Sequence, residues 1–486
     1  MVHRLAIATV ALALAAGCAV PSERRLREAA DQVEQSYRYR TASKAGAEAA
    51  GPLPALGAGA TLRDYLEYAA LNNPGLEAAF YRWQAAQEQI PQARALPEPT
   101  FTYRYYIREV ETRVGPQRQA FGLHQRFPWP SKLYHQAGAA AEAARSAHAR
   151  YEAAKVHLFY RVKHAYYEYY YLKRAIDLVR ENRDLVRYLE AVARRRYEVA
   201  AARYPDVIRA QVELGKLDDR LRTLEDLRQP MASHLNAALG RPTREPLPWP
   251  KEVPHEAPAA DDEELLAWLR EHNPELEALR HEIGRAEQGI RLAEQNYYPD
   301  VTVGVDHIQT DGALMPAVRD SGKDPVVAMF SVALPVWYEK YDAALREARA
   351  RHWDAIRSRD ERENVLAAEV RMVLYRVRDA ERKVDLFRDT LVPKARQSLK
   401  ATEAAFRAGN ANFVDLVDAE RVLLEFQLSQ ERALADQAQH VARLEMLVGR
   451  PMRPAADGPA EEDEPADAKP AATVSPNPDA SKGDAR

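Results

Sequence analysis

The residues with chemistry to offer are few and widely spaced. Asp415 and Asp418 stand three apart in Phe413-Val414-Asp415-Leu416-Val417-Asp418, so on a helix they share one face. Two such carboxylates can attract cations; they can equally be solvated surface acids. Asp261, Asp262, Glu263 and Glu264 form an acidic run that suits the positive end of a helix better than a metal site. His157 and His164 are seven apart, too far to chelate one ion directly, and the other His and the seven Met are scattered. The chain contains no Gly-x-Ser-x-Gly, no His-Glu-x-x-His and no Gly-rich phosphate loop. It therefore reads as no enzyme, with no metal and no cofactor beyond a covalent lipid considered below. One Cys, Cys18, excludes a disulfide framework and Cys-ligated clusters. With 69 Lys+Arg against 72 Asp+Glu, the chain is close to charge balance, which argues against nucleic acid as a partner. The basic run Arg194-Arg195-Arg196 reads as a solvated helix surface.

The elements that position these residues begin with an export signal. Arg4 precedes a twelve-residue apolar run, Leu5 to Ala16, too short to span a bilayer. The run ends Leu14-Ala15-Ala16-Gly17-Cys18, which resembles a bacterial lipobox. That resemblance implies cleavage after residue 17 and lipidation of Cys18, with Ala15 standing where Leu is usual. The alternative is an ordinary signal peptide with Cys18 incidental. Acyl chains contribute roughly 0.8 kcal/mol per buried CH₂, so several would anchor residues 18–60 to a membrane. Ala19 and Val20 after the Cys fit sorting to the outer membrane.

The rest is one unit written twice. Asn72-Asn73-Pro74-Gly75-Leu76-Glu77-Ala78 returns as His272-Asn273-Pro274-Glu275-Leu276-Glu277-Ala278, 200 positions on. Leu239-Gly240-Arg241-Pro242 returns as Val448-Gly449-Arg450-Pro451, 209 on. The repeats are 61–240 and 261–452. Residues 241–260 carry six prolines, as an extended linker does, and 453–486 carry six more with almost no large apolar residue, as a disordered tail does.

Each repeat reads helix, strand, strand, very long helix, helix. The first helix is expected from Thr61, its cap, to Ala95, with a break at Pro74. Residues 100–108, 118–127, 301–307 and 326–334 alternate apolar with polar or charged residues, as strands with one apolar side do. About ten residues also suffice for a tilted strand to cross a bilayer, but four strands cannot close a barrel, so a membrane role requires several chains. Trp129 and Trp337 follow strands and Tyr297 and Tyr298 precede one, positions that suit an interfacial aromatic belt. Coiled-coil spacing runs through Phe159, Val162, Tyr166, Tyr169, Leu172, Ile176 and Val179, and again through Val370, Val373, Val377, Ala380, Val384, Phe387 and Leu391. A helix over 131–202 would be about 105 Å long. Pro393 should bend its counterpart locally.

Signal, lipobox, two tandem copies, paired strands and ~100 Å helices together resemble the TolC-like outer-membrane efflux family. The most specific stretch is Phe406-Arg407-Ala408-Gly409-Asn410-Ala411-Asn412-Phe413-Val414-Asp415, which matches the turn at the periplasmic tip. The resemblance implies a mainly α fold with long antiparallel helices and a homotrimer. Four strands per chain would then make a twelve-strand barrel in the outer membrane, above a periplasmic α-barrel. It implies a passive exit duct, partnered by a periplasmic adaptor and an inner-membrane pump. It places Asp415 and Asp418 at the pore constriction, and Phe406, Gly409, Phe413 and Tyr204 at the tip that meets the adaptor. The lipid anchor and Phe127-Pro128-Trp129-Pro130 look most like the heavy-metal, copper/silver branch, with metal cations as substrates. The first copy departs from the pattern: Ala200 stands where Gly is expected, Pro205 lies in the turn, Asp206 matches Asp415, and Arg209 falls where the second copy has Asp418. Arg203 or Arg209, bridging to Asp415 or Asp418, would hold the tunnel closed at rest. The rival from another class is a coiled-coil structural lipoprotein without a pore.

Overall fold

The computed structural model describes residues 27–35, 56–200, 203–251, 253 and 261–452. The signal segment, Cys18, most of 18–60, much of the second half of the linker and the tail lie outside the described residues.

The first repeat opens with α1 (Leu62–Asn72), α2 (Pro74–Gln87) and α3 (Gln89–Arg94). Thr61 caps α1: its amide donates to Asp64 Oδ2 at 2.7 Å. The break at Pro74 is present, with Asn73 extended. A second break at Glu88 departs from the expected continuous helix. Its cause is Pro91, whose ring opposes the carbonyl of Gln87 four residues back. β1 (Thr100–Val110) and β2 (Gln117–Phe127) follow, then α4 (Pro130–Glu198), α5 (Tyr204–Asp226) and α6 (Arg228–Leu239). The second repeat gives α7 (Asp262–His272), α8 (Pro274–Gln295), β3 (Val301–Thr310), β4 (Val326–Val332) and α9 (Tyr338–Asp385). A π-helical turn, Leu386–Leu391, then leads into α10 (Val392–Ala408) and α11 (Phe413–Val448).

The repeated motifs meet in space. Asn73 Oδ1 accepts from the amides of Gly75 (2.9 Å) and Leu76 (3.1 Å), while its Nδ2 donates to the Ala238 carbonyl (2.9 Å). Asn273 does the same with Glu275, Leu276 and the Leu447 carbonyl. Gly240 and Gly449 are left-handed, φ 74 and 77, and a Cβ there would strike the backbone of Asn72 or His272. Each Asn-Pro therefore caps one helix and ties it to the Gly-terminated end of another.

Long helices supply the core. α4, 69 residues, is about 100 Å long and buries Val162, Tyr166, Tyr169, Leu172, Ile176 and Val179 along one seam. On α9, Val370, Val373, Val377, Ala380 and Val384 are buried. Phe387 and Leu391, which continue that spacing, fall in the π-helical turn and are only half-buried. Pro393 follows just after this turn. It lacks the N–H that would close on Asp389, and the wider turn just ahead absorbs the mismatch. The described start of the linker is extended but packed: Leu247 is buried and Trp249 stacks on Tyr169 at 4.5 Å.

The four strands form one antiparallel sheet in the order β1-β2-β3-β4. Tyr103 faces Phe121, Leu123 faces Val305 and Val303 faces Phe330 across the register. This apolar face is open: Phe101 is 67%, Phe330 70% and Ile107 93% exposed. On the other face Ala120, Gly122, Gly304 and Asp306 are buried. β1 and β4 are open edges.

Candidate functional site at the paired helical turns

Each repeat reverses direction once at the end of its long helices. In the second copy α10 stops at Gly409, left-handed at φ 82, ψ 9, and Asn410 donates its amide to the Ala405 carbonyl at 2.8 Å. Asn412 is extended, and its amide donates to Asp415 Oδ2 at 3.1 Å, so Asp415 closes the start of α11. In the first copy Ala200 takes the left-handed conformation, φ 60, that Gly409 takes in the second. Ala201 and Ala202 lie outside the described residues. Arg203 is the extended cap residue of α5, and Pro205 sits in its first turn, where its missing N–H is no loss.

An aromatic pair clasps each turn, at equivalent positions. Phe406 and Phe413 pack edge to face at 5.7 Å and are buried. Tyr197 and Tyr204 approach to 5.3 Å and stay half exposed. The phenylalanines join Leu189, Ala193, Val207, Ala210, Leu416 and Val417 in one small core, so the two turns pack against each other.

The charges divide unequally. Asp415 and Asp418 are exposed neighbours on one face of α11, as their spacing requires, and Arg421 lies 3.5 Å from Asp418. Asp206 is buried; Arg203 and Arg209 flank it at 3.8 and 3.9 Å. Within this chain, among the described residues, no ion pair joins either arginine to Asp415 or Asp418.

Four further residues tie the turns together, and the sequence reading did not single them out for that role. Arg196 donates to the Phe406 carbonyl and lies 4.8 Å over the Phe406 ring. It caps the end of α10, so it is more than a solvated surface charge. Arg421 grips the buried Glu213 with two hydrogen bonds, one at 3.0 Å, and holds that carboxyl below the usual carboxylate range. Glu420 is 1% exposed beside Asn182, with neither oxygen in a well-formed hydrogen bond; burial pushes its carboxyl up to about 7. The available signal was an acid standing on an apolar seam: Ala210-Glu213-Leu217 and Leu416-Glu420-Leu424.

At the opposite end the sheet joins the helices. Trp129 stacks on Tyr298 at 5.1 Å, and Asp300 accepts from the Trp129 amide (3.3 Å) and Lys132 Nζ (2.8 Å). Tyr297 donates to Asp342, and Trp337 is 75% exposed. All four aromatics thus stand at one end of the sheet. The acidic run resolves into capping: Asp261 accepts from the Glu264 amide at 2.8 Å, and Asp262 pairs with Arg378.

These features define a class: a two-repeat protein of ~100 Å helices carrying a small sheet with an exposed apolar face. The chain belongs to the outer membrane efflux protein family, which matches residues 65–241 and 265–450. It is 22% identical over 411 residues to the cobalt-zinc-cadmium resistance protein CzcC of Cupriavidus metallidurans, covering 83% of this chain and 91% of that one. Its fold is similar to the outer membrane protein VceC of Vibrio cholerae, with TM-score 0.66, 19% identity and coverage of 81% and 97%. It is also similar to CusC, with TM-score 0.69, 15% identity and coverage of 82% and 97%. The protein is therefore an outer-membrane efflux component that extends into the periplasm.

Proposed function

We propose that three copies assemble into a passive exit duct. Twelve strands close one barrel in the outer membrane, and the long helices close one periplasmic tunnel. The observation that supports this most is the sheet, with an open apolar face, a polar face and two unpaired edges. Lipid tolerates no unpaired sheet edge, so β1 and β4 must find partners on neighbouring chains. Cys18 carries the lipid anchor, and Trp129, Tyr297, Tyr298 and Trp337 mark the periplasmic membrane interface.

The tip works by charge and shape. Asp415 and Asp418 from three chains ring the narrowest point and favour cations. Arg203 and Arg209, each near 4 Å from Asp206 here, restrain the closed state by reaching an aspartate of a neighbouring chain. Phe406, Gly409, Phe413 and Tyr204 shape the end that meets a periplasmic adaptor and its inner-membrane pump. The relation to CzcC makes divalent metal cations the proposed cargo.

Planar-bilayer recording of the purified, detergent-extracted protein tests the duct. Discrete cation-preferring steps are expected, with weaker cation preference in Asp415→Ala/Asp418→Ala. Unchanged preference would move the constriction elsewhere. The absence of any steps from the wild type and from the Arg203→Ala/Arg209→Ala variant alike would sink the channel reading. Larger steps in Arg209→Ala are expected; unchanged steps would remove Arg209 from the restraint.

A further inference from the structure

The sheltered face of the sheet carries a second charge device, far along the chain from the turns. Arg104 on β1, His124 on β2 and Asp306 on β3 converge at mid-sheet. Arg104 Nη2 donates to Asp306 Oδ1 at 3.0 Å, and His124 Nε2 lies 3.5 Å from the same oxygen. Only 13% of the Asp306 side chain and 16% of the His124 side chain are exposed.

Two glycines make this possible. The register sets Gly122 opposite Asp306 and His124 opposite Gly304. A Cβ on Gly304 would sit 2.2 Å from His124 Nδ1, and one on Gly122 would sit 2.4 Å from Asp306 Oδ1. The ring and the carboxylate therefore lie across the glycines, flat along the wall, instead of standing into the space beside it. The same pairing recurs near the helix end of the sheet, where Arg126 approaches Asp300 at 3.5 Å.

Accepting the duct described above, the opposite, apolar face meets lipid, so this one lines the lumen. We infer that the Arg104–Asp306–His124 cluster is a charge-compensated collar that keeps the membrane-spanning part of the duct from selecting between cations and anions. Arg104 neutralises Asp306, and His124 and the glycines hold the carboxylate in place. Bulk ions of either sign then pass the barrel, and charge selection is left to the turns. In a lumen with low-dielectric walls, removing one partner exposes one fixed charge per chain.

The test is the reversal potential of single channels under a KCl gradient at pH 7.5, for wild type, Asp306→Asn, Arg104→Gln and the double variant. Asp306→Asn uncovers the guanidinium and should lower the K⁺/Cl⁻ permeability ratio by about twofold or more. Arg104→Gln uncovers the carboxylate and should raise it by a similar factor. The double variant, neutral again, should return to the wild-type ratio, which general damage to the barrel would not produce. Single variants that leave the ratio unchanged, or shift it the same way, overturn the collar and leave the duct standing. A wild type and an Arg203→Ala/Arg209→Ala variant that both lack steps overturn both.

Discussion

The two turns share a backbone plan and differ in almost every side chain that matters. The second copy has a left-handed glycine, a buried phenylalanine pair and an aspartate that caps its own helix. The first has a left-handed alanine, an exposed tyrosine pair and a buried aspartate between two arginines. Each also hides one glutamate on its inner seam. Glu213 is satisfied by Arg421, whereas Glu420 leans on Asn182 with neither oxygen in a well-formed hydrogen bond. The second turn is thus anchored by burial, and the first presents polar and ionic groups. Repetition preserved the geometry and freed one copy to specialise.

The contrast can be broken most strongly at the aromatics. Phe413→Ala should cost about 3–5 kcal/mol, as loss of a buried ring does, while Tyr204→Ala should cost under about 1 kcal/mol. Urea unfolding of the two variants side by side measures this, and equal losses would erase the distinction.

The seam glutamates come next. The native state holds the Glu420 proton at a value near 7, against 4.5 for an ordinary glutamate. Its contribution to stability is therefore fully present below about 4.5 and is lost as pH rises through about 7. At pH 8 the ionised carboxylate costs on the order of 3 kcal/mol. Glu420→Gln should be the more stable protein at pH 8, and its advantage in Tm should shrink steadily towards pH 5. A constant gap would show that Glu420 does not titrate in this range. Glu213 has the opposite sign, since Arg421 lowers its value and its stabilisation fades in acid.

The smallest effects lie in the turn backbones. Gly409→Ala forces a side chain into the left-handed region and should cost about 1–2 kcal/mol. Ala200→Gly relieves that strain and should gain about 0.5–1 kcal/mol, less than the reverse change costs because glycine also loosens the unfolded chain. Thermal melts read both, and a destabilised Ala200→Gly would mean that contacts of the alanine methyl outweigh the strain.

Much of this was legible in sequence because it rests on local rules. Alternation located all four strands: 118–127 and 326–334 became Gln117–Phe127 and Val326–Val332. Thr61 caps as its type dictates, and the repeated Asn-Pro motifs each start a helix. What sequence hid was long-range. The apolar seam is the one local hint that Glu420 and Glu213 are buried; an acid on a helix is normally a surface residue, and the packing of α4, α5 and α11 encloses these two. Arg196 looked like one charge in a basic run until Phe406, 210 residues on, came to lie beneath it. The π-helical turn before Pro393 answers one missing N–H, and the position of a proline alone does not say how the helix will accommodate it.

The sheet has a consequence for the order of events during synthesis and export. The hydrogen bond that ties Asn73 to Ala238 lies wholly within the first repeat, though Leu424, Leu428, Ala438 and Ala442 of α11 later join the same core. β2 pairs with β3, which emerges some 170 residues later. The apolar face therefore cannot be completed until β4, which ends at Val332 of the 486 residues, has crossed into the periplasm. Late completion shortens the time in which a greasy surface stands uncovered in water. Pulse-labelled hydrogen exchange should find the amides of α1, α2 and α6 protected before those of β2 and β3.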